Sequence, residues 1–150
     1  MSLISLQQFP NSFFDPFLVT STETPEYNCI AWAYEDMTRW YWPDPSNIYF
    51  WPDGIPREVN LNSFMQLFSS IRYEICENGE PEEGFCKIAI FIDPNGIPTH
   101  AARQLLNGFW TSKLGKYIDV QHTIQSIIDG DYGAVGVYMK RAINGNHEMQ

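Results

Sequence analysis

The chain lacks most of the features that mark secreted and membrane proteins. It has three cysteines among 150 residues and no CxxC pair, and an odd number of thiols cannot pair fully within one chain. A disulfide scaffold is therefore not expected, and unpaired thiols fit a reducing compartment. No run approaches the roughly 18 apolar residues that a membrane helix needs, and no basic stretch precedes an apolar core near the first residue. We predict a cytoplasmic protein without membrane contact, although delivery by a route that needs no signal stays open.

The patterns of nucleotide and metal sites are missing too. Neither a P-loop GxxxxGK pattern nor GxGxxG occurs, so nothing in the sequence indicates a nucleotide. The three histidines, His100, His122 and His147, show no HxxxH spacing, whereas zinc sites need clustered histidine or cysteine ligands. We therefore predict neither a bound metal nor any other cofactor.

Basic residues are scarce in this chain. Nine Lys and Arg stand against 18 Asp and Glu, a formal net charge of −9. Such a surface repels phosphate backbones, so nucleic acid is not an expected partner. A cationic substrate or a protein partner suits this charge better, and the oligomeric state is left open.

Apolar residues, by contrast, are abundant enough to build a core. Hydrophobic residues make up 44% of the chain and aromatic residues 15%. At this length we predict a single domain over residues 1–150. Within it, residues 1–26 contain several prolines and phenylalanines and are expected to form an extended N-terminal arm. Residues 142–150 are expected to form a loose tail.

Hydrophobic periodicity predicts two helices ahead of a series of strands. Asn28 suits the N-cap of a helix that runs to about Met37. Apolar residues at i, i+3, i+4 and i+7 predict a second, core-facing helix over residues 62–70. Strands are predicted at 73–77, 87–92, 99–106, 109–114 and 134–139, with a short helix at 123–128. The predicted fold class is α+β, with N-terminal helices packed on a C-terminal antiparallel sheet.

Cys29 opens the first predicted helix. A thiol needs a lowered pKa to act as a nucleophile near neutral pH, and a helix N-terminus and an imidazole partner both lower it. Free cysteine is also often a small buried residue, so a structural role for Cys29 stays open. Cys76 and Cys86 lack such companions, and we interpret both as structural.

His100 opens a predicted strand in which the next residues are small. Ala101 and Ala102 leave room for the end of a helix to pack close to the histidine. A cysteine at a helix start and a histidine on a sheet form the arrangement that papain-like hydrolases use. The sequence thus predicts Cys29 as nucleophile and His100 as general base and acid.

A third residue is expected to hold the imidazole ring. The Asn107–Gly108 pair is a two-residue hairpin signal, and counting outward from it places Gln104 opposite Thr111. By alternation Gln104, Thr111 and Lys113 share the face of the histidine, and Ser112 points away unless a bulge intervenes. The candidates left open are Gln104, Ser112, Asp119 and His122.

Further residues are candidates for binding the substrate. The oxyanion would accept hydrogen bonds from the backbone N–H of Cys29 and from one side chain, that of Asn28 or Tyr27. Asn28 is equally explained as a helix cap. Lys113 is a candidate for neutralising an anionic substrate group. The remaining candidates in this region are Trp110 and His122.

Several short segments together carry a resemblance to a known family. They read YNCIAWA at 27–33, HAARQ at 100–104 and WTSKLG at 110–115, followed by His122 and by Tyr132–Gly133. As a set, they resemble an uncharacterised bacterial domain family with this pattern, over about residues 25–141. That family has no assigned activity, so the resemblance implies a fold more than a function.

The motifs are also similar to those of papain-like toxin domains at the C-termini of bacterial Rhs-type proteins, where SKWG stands in place of SKLG. This resemblance implies a papain-like, NlpC-type fold, with Cys29 and His100 as nucleophile and base. It places Ser112, Lys113 and His122 in the supporting region. The Asp-Cys-Ser segment of NlpC-type cell-wall amidases is missing around Cys29, which argues against peptidoglycan as the substrate.

Two classes of function follow from these residues. The first is a cysteine-dependent amide hydrolase or acyltransferase (a peptidase, amidase or deamidase) that acts through a thioester on a protein or peptide. The sequence does not separate hydrolysis from deamidation or transamidation, since all three share that intermediate. The second is a non-catalytic protein-binding module, or an immunity-type partner, in which Cys29 is buried.

Overall fold

One antiparallel sheet of eight strands organises the protein. The computed structural model describes residues 2–114 and 118–143, and the sheet has the strand order β1-β2-β7-β6-β5-β4-β8-β3. The strands are β1 Leu3–Ile4, β2 Phe17–Val19, β3 Glu74–Cys76, β4 Phe85–Ile92, β5 Pro98–Gln104, β6 Trp110–Lys113, β7 Asp119–His122 and β8 Ala134–Ala142. The helices are α1 Cys29–Tyr34, α2 Leu61–Ser69 and α3 Ile124–Ile127, with a 3-10 helix at Pro10–Phe13.

The predicted layout of N-terminal helices on a C-terminal sheet is wrong, and the papain-like fold expected with it is not confirmed. The chain begins with β1 and β2, which pair with each other, and β2 then pairs with β7 in the same sheet. Helices are short and few among the described residues. The sequence gives little warning, because strands of two or three residues are too short to show a period-two pattern.

The central strand β4 separates two hydrophobic layers. Its alternate residues Ile88 and Ile90 join the layer that contains α1 and α2, which we call the helix face. Ala89 and Phe91 point the other way and join a layer formed with the N-terminal segment and α3, which we call the arm face. Since β4 is covered on both faces, its sequence is a nearly continuous apolar run, as in other strands of this kind.

Most of the individual elements lie close to their predicted positions. The helix α2 begins and ends one residue before the predicted bounds, and it is capped by the Asn60 side chain. The helix α1 ends three residues earlier than predicted, because Glu35 adopts a left-handed conformation with φ 72° and terminates it. The strand β7 was not predicted at all.

The two ends of the chain were expected to form an extended N-terminal arm and a loose C-terminal tail. Within residues 1–26, the structure has β1, the 3-10 helix and β2, with Phe9 and Phe17 buried in the arm-face layer. Of the expected tail, residues 144–150 lie outside the described part of the chain. The single-domain assignment stays a prediction.

Because the N-terminal segment is buried, we expect it to contribute to the stability of the fold. Phe17 is fully buried, whereas Phe14, three residues earlier, is 93% exposed. We expect Phe17→Ala to lower the free energy of unfolding by about 3–5 kcal/mol, since it removes a buried ring and leaves a cavity. The matched control Phe14→Ala should change it by less than about 0.5 kcal/mol. Urea unfolding measures both, and equal effects of the two variants would contradict the described packing.

Candidate functional site

The helix α1 begins at Cys29 because the preceding residue caps it. Asn28 has extended backbone angles, and its side-chain oxygen accepts a hydrogen bond from the Ala31 N–H at 3.2 Å. The same side chain accepts from the Tyr41 N–H and donates to the Tyr41 carbonyl at 2.6 Å. Both ends of the Asn28 amide are therefore occupied by the helix cap and by the loop that carries Tyr41.

The hairpin that joins β5 to β6 has a register different from the predicted one. Its loop has three residues, 106–108, with Gly108 at φ 89° and a hydrogen bond from the Leu105 N–H to the Phe109 carbonyl. As a result Gln104 pairs with Trp110 and Arg103 with Thr111. A one-residue shift moves every side chain of a strand to the opposite face. The predicted faces of Thr111, Ser112 and Lys113 are therefore wrong, and Ser112 lies on the face of His100.

Three buried side chains on adjacent strands are linked by hydrogen bonds. His100 Nε2 on β5 lies 2.9 Å from Ser112 Oγ on β6, and Ser112 Oγ lies 2.6 Å from His122 Nε2 on β7. His122 Nδ1 in turn donates to the Thr123 carbonyl at 2.7 Å. Ser112 is thus the direct partner of His100, and His122 is the partner of Ser112.

The other nitrogen of His100 has no such partner. Nδ1 is buried and makes no hydrogen bond. Burial, with a smaller contribution from the neighbouring His122, holds the pKa of His100 well below its ordinary value. Burial likewise lowers the pKa of His122 to about 4. Both imidazoles are therefore neutral at pH 7, and His100 offers a buried nitrogen that is not hydrogen-bonded.

Aromatic rings fix the plane of the His100 imidazole. The ring of Tyr132 stacks on it with centroids 3.9 Å apart and planes 7° apart. Phe91 packs against it with ring centroids 5.4 Å apart. Tyr132 was noticed in the sequence only as part of a Tyr-Gly pair, because ring stacking over 32 residues of chain leaves no local signal.

Cys29 reaches the sheet one residue away from His100. It belongs to the helix-face layer together with Ala101, whereas the His100 ring packs against Phe91 on the arm face. The thiol makes no hydrogen bond to either nitrogen of His100, but the backbone N–H of Ala101 lies within hydrogen-bonding reach of it. The structure therefore brings the thiol to the backbone of β5 beside His100, at the N-terminus of α1.

Burial decides the protonation state of the Cys29 thiol. It raises the pKa of Cys29 to about 11, against the opposing effect of nearby backbone N–H groups and of the Lys113 charge. The residue is only 6% exposed. The resting thiol is therefore protonated, and a proton acceptor is required before it can act as a nucleophile near neutral pH.

A charged cluster lies next to the start of α1. Lys113 is buried with its ammonium 5.1 Å from the centre of the Tyr27 ring. Burial lowers the pKa of Lys113, while the charges of Asp119, Glu23 and the Cys29 thiolate oppose that shift. Tyr27 donates its hydroxyl hydrogen bond to Asp119 at 2.8 Å. Lys113 is thus placed to stabilise negative charge on the sulfur, rather than on the arm face with the histidines.

The remaining predicted residues lie apart from the histidines or serve the packing. Gln104 donates to the Gly79 carbonyl at 2.8 Å, so it does not hold His100. Trp110 is buried against Tyr138 and pairs with His122 across β6 and β7. It belongs to the arm-face layer.

No cluster of three or more His, Cys, Asp or Glu side chains that could hold a metal ion occurs within residues 2–114 and 118–143. His147, and Gly115 of the WTSKLG motif, lie outside those ranges. Among the same residues, no helix has the length and apolar character to span a bilayer.

Comparison with known families places the chain in one of them. A family model described as a domain of unknown function, DUF7689, matches residues 18–140. The chain belongs to the DUF7689 family. No curated protein and no solved structure matches it. The expected membership of an uncharacterised domain family is thus confirmed, and Cys29, His100, Ser112 and His122 all lie inside the matched DUF7689 segment.

Titration of His122 makes a testable contribution to stability. Because its pKa is about 4 in the folded DUF7689 domain and about 6.5 in an unfolded chain, the unfolded state binds more protons between these values. The contribution of neutral His122 to the free energy of unfolding is therefore fully present above pH 6.5. It falls by about 3 kcal/mol as the pH is lowered to 4. The non-titrating His122→Gln variant lacks this loss.

Urea unfolding of both proteins across pH 4–7 measures the effect. The free-energy difference between wild type and His122→Gln should fall by about 3 kcal/mol from pH 7 to pH 4. Carboxylates titrate in both proteins and cancel in this difference, and burial, the larger cause of the low pKa of His100, acts in both. A difference that does not change with pH would show that His122 is not buried as a neutral ring.

Proposed function

We propose that this protein is a cysteine-dependent acyl-transfer enzyme that attacks an amide carbonyl through Cys29, with His100 as its general base. The observation that carries the proposal is the buried, neutral His100 ring, whose Nε2 is engaged by Ser112 while Nδ1 has no hydrogen bond. A buried nitrogen without a partner is costly and rare in folded proteins. Such a nitrogen can act as a general base, and the Cys29 thiol, which reaches the same strand at the backbone of Ala101, needs a proton acceptor.

The position of the thiol supports the same assignment. Cys29 stands at the first residue of α1, where backbone N–H groups have no partner within the helix. The N–H groups of Ala101, Ile30 and Cys29 itself favour the thiolate. The charge of Lys113 acts in the same direction, so negative charge that forms at this point is stabilised by several fixed donors.

In the proposed reaction, the Cys29 thiol transfers its proton to His100 Nδ1 as Sγ attacks the carbonyl carbon. The amine then leaves with that proton, and a thioester remains on Cys29. Water, or an acceptor amine, loses a proton to the same nitrogen as it attacks the thioester, and that proton returns to the Cys29 sulfur as the sulfur leaves. Backbone N–H groups at the start of α1 would bind the oxyanion, since the Asn28 side chain is already engaged in capping.

The proton transfer takes place on substrate binding in this proposal, not before it. Burial raises the pKa of Cys29 and lowers that of His100, so both groups are neutral at rest. A thiolate–imidazolium pair is therefore not the resting form. The proposed substrate is a protein or peptide amide, and the protein would act in the reducing cytoplasm, where its three cysteines stay free.

A second candidate is a protein-binding module without catalysis. The 6% exposure of Cys29 and its raised pKa favour this alternative, because inert structural cysteines are buried in this way. In it, His100 and Ser112 only link the strands β5 and β6. The two candidates differ in whether Cys29 reactivity depends on the imidazole.

Iodoacetamide labelling of the native protein at pH 7, with the modified sites assigned by mass spectrometry, tests the proposal. Cys86 is also buried and reports how often the core opens. We expect Cys29 to react about 100-fold faster than Cys86, the lower end of what a general base contributes. His100→Gln should bring the two rates together, since glutamine retains a donor for Ser112 but is not a base.

Ser112→Ala provides a second variant. It should slow Cys29 labelling by less than His100→Gln does, since it releases the imidazole without removing it. The rate at Cys86 should stay constant in all folded variants. Equal labelling of Cys29 in wild type and His100→Gln would sink the enzyme proposal and leave the binding module.

A further inference from the structure

We propose that His122 is a positioning residue that determines which nitrogen of His100 carries the proton. It does so through Ser112, from two strands away. The inference deepens the proposed function, because its consequence for Cys29 rests on His100 being the general base. The evidence is a directional chain of hydrogen bonds from β7 to β5.

The chain of hydrogen bonds has a fixed direction because it ends at a backbone carbonyl. The Thr123 carbonyl, 2.7 Å from His122 Nδ1, can only accept a hydrogen bond. His122 Nδ1 therefore carries the proton of the neutral ring. Its Nε2 is left with a lone pair, and this nitrogen can only accept.

Ser112 transmits that direction to His100. Its hydroxyl has a single proton, and His122 Nε2 at 2.6 Å is an acceptor that needs it. Having donated to His122, Ser112 Oγ can only accept on its other side. His100 Nε2 at 2.9 Å must then be the donor, and the lone pair of His100 falls on Nδ1.

Rotation of the His100 ring cannot substitute for this control. The ring is fully buried and stacked on Tyr132, with centroids 3.9 Å apart, so a ring flip would require the surrounding layer to open. With the ring orientation fixed, only the choice of the His100 nitrogen that carries the proton remains variable. The alternative tautomer would place a proton on Nδ1 and leave no base there.

Removal of the His122 acceptor should release this control. Ser112 would then be free to donate its proton to His100 Nε2, which favours the tautomer with a proton on Nδ1. His122→Leu removes the acceptor. His122→Gln is the matched variant, because its side-chain oxygen can take the place of Nε2 and accept from Ser112.

Long-range proton–nitrogen NMR correlation on protein with ¹⁵N-labelled histidine reads the tautomers directly at pH 7. In wild type we expect His100 protonated on Nε2 and His122 on Nδ1. His122→Gln should leave the His100 tautomer unchanged. His122→Leu should shift His100 toward Nδ1 protonation and slow Cys29 labelling by iodoacetamide at least tenfold.

The wild-type spectrum decides the inference even if His122→Leu fails to fold. A His100 ring protonated on Nδ1, or a His122 ring protonated on Nε2, would overturn it. An unchanged His100 tautomer in folded His122→Leu would overturn it as well. If the tautomers behave as expected but His100→Gln leaves Cys29 labelling unchanged, the proposed function fails while the role of His122 in setting the tautomer stands.

Discussion

The register between β5 and β6 is the constraint on which the site depends. The three-residue loop ending in Gly108 places Gln104 opposite Trp110, and this pairing turns Ser112 toward the face of His100. With the two-residue loop, Lys113 and Thr111 would face the histidine, and the link to His122 would be lost. Because side chains alternate strictly along a strand, one residue of loop length decides the chemistry of a whole face.

Burial makes the hydrogen bonds among His100, Ser112 and His122 energetically important. His100, Ser112 and His122 are all nearly inaccessible, so their polar atoms must pair with one another or remain unsatisfied at substantial cost. Ser112 Oγ and both ring nitrogens of His122 have hydrogen-bond partners, whereas Nδ1 of His100 has none. On the opposite side of β5, the Cys29 thiol approaches the backbone at Ala101, and Lys113 contributes positive charge nearby. The two halves of the proposed site thus meet at the strand, not on a shared surface.

Local patterns account for much of the secondary structure. The helix α2 follows from its apolar spacing, and β4 follows from a continuous apolar run, because both signals lie within one element. The strands β1, β2 and β7 were not predicted, because they depend on distant segments for their pairing. For the same reason the N-terminal segment, expected to be an extended arm, contributes two strands to the sheet.

The sequence by itself determined two candidate residues of the proposed site and the local setting of each: Cys29 behind an Asn28 cap, and His100 at the start of a strand before two alanines. Short-range capping and strand propensity suffice for that. Only the tertiary structure decided that Ser112 binds His100, that His122 binds Ser112, and that burial keeps both imidazoles and the thiol neutral. These properties depend on register and on exclusion of water, which arise when distant strands pack together and leave no pattern in any one segment.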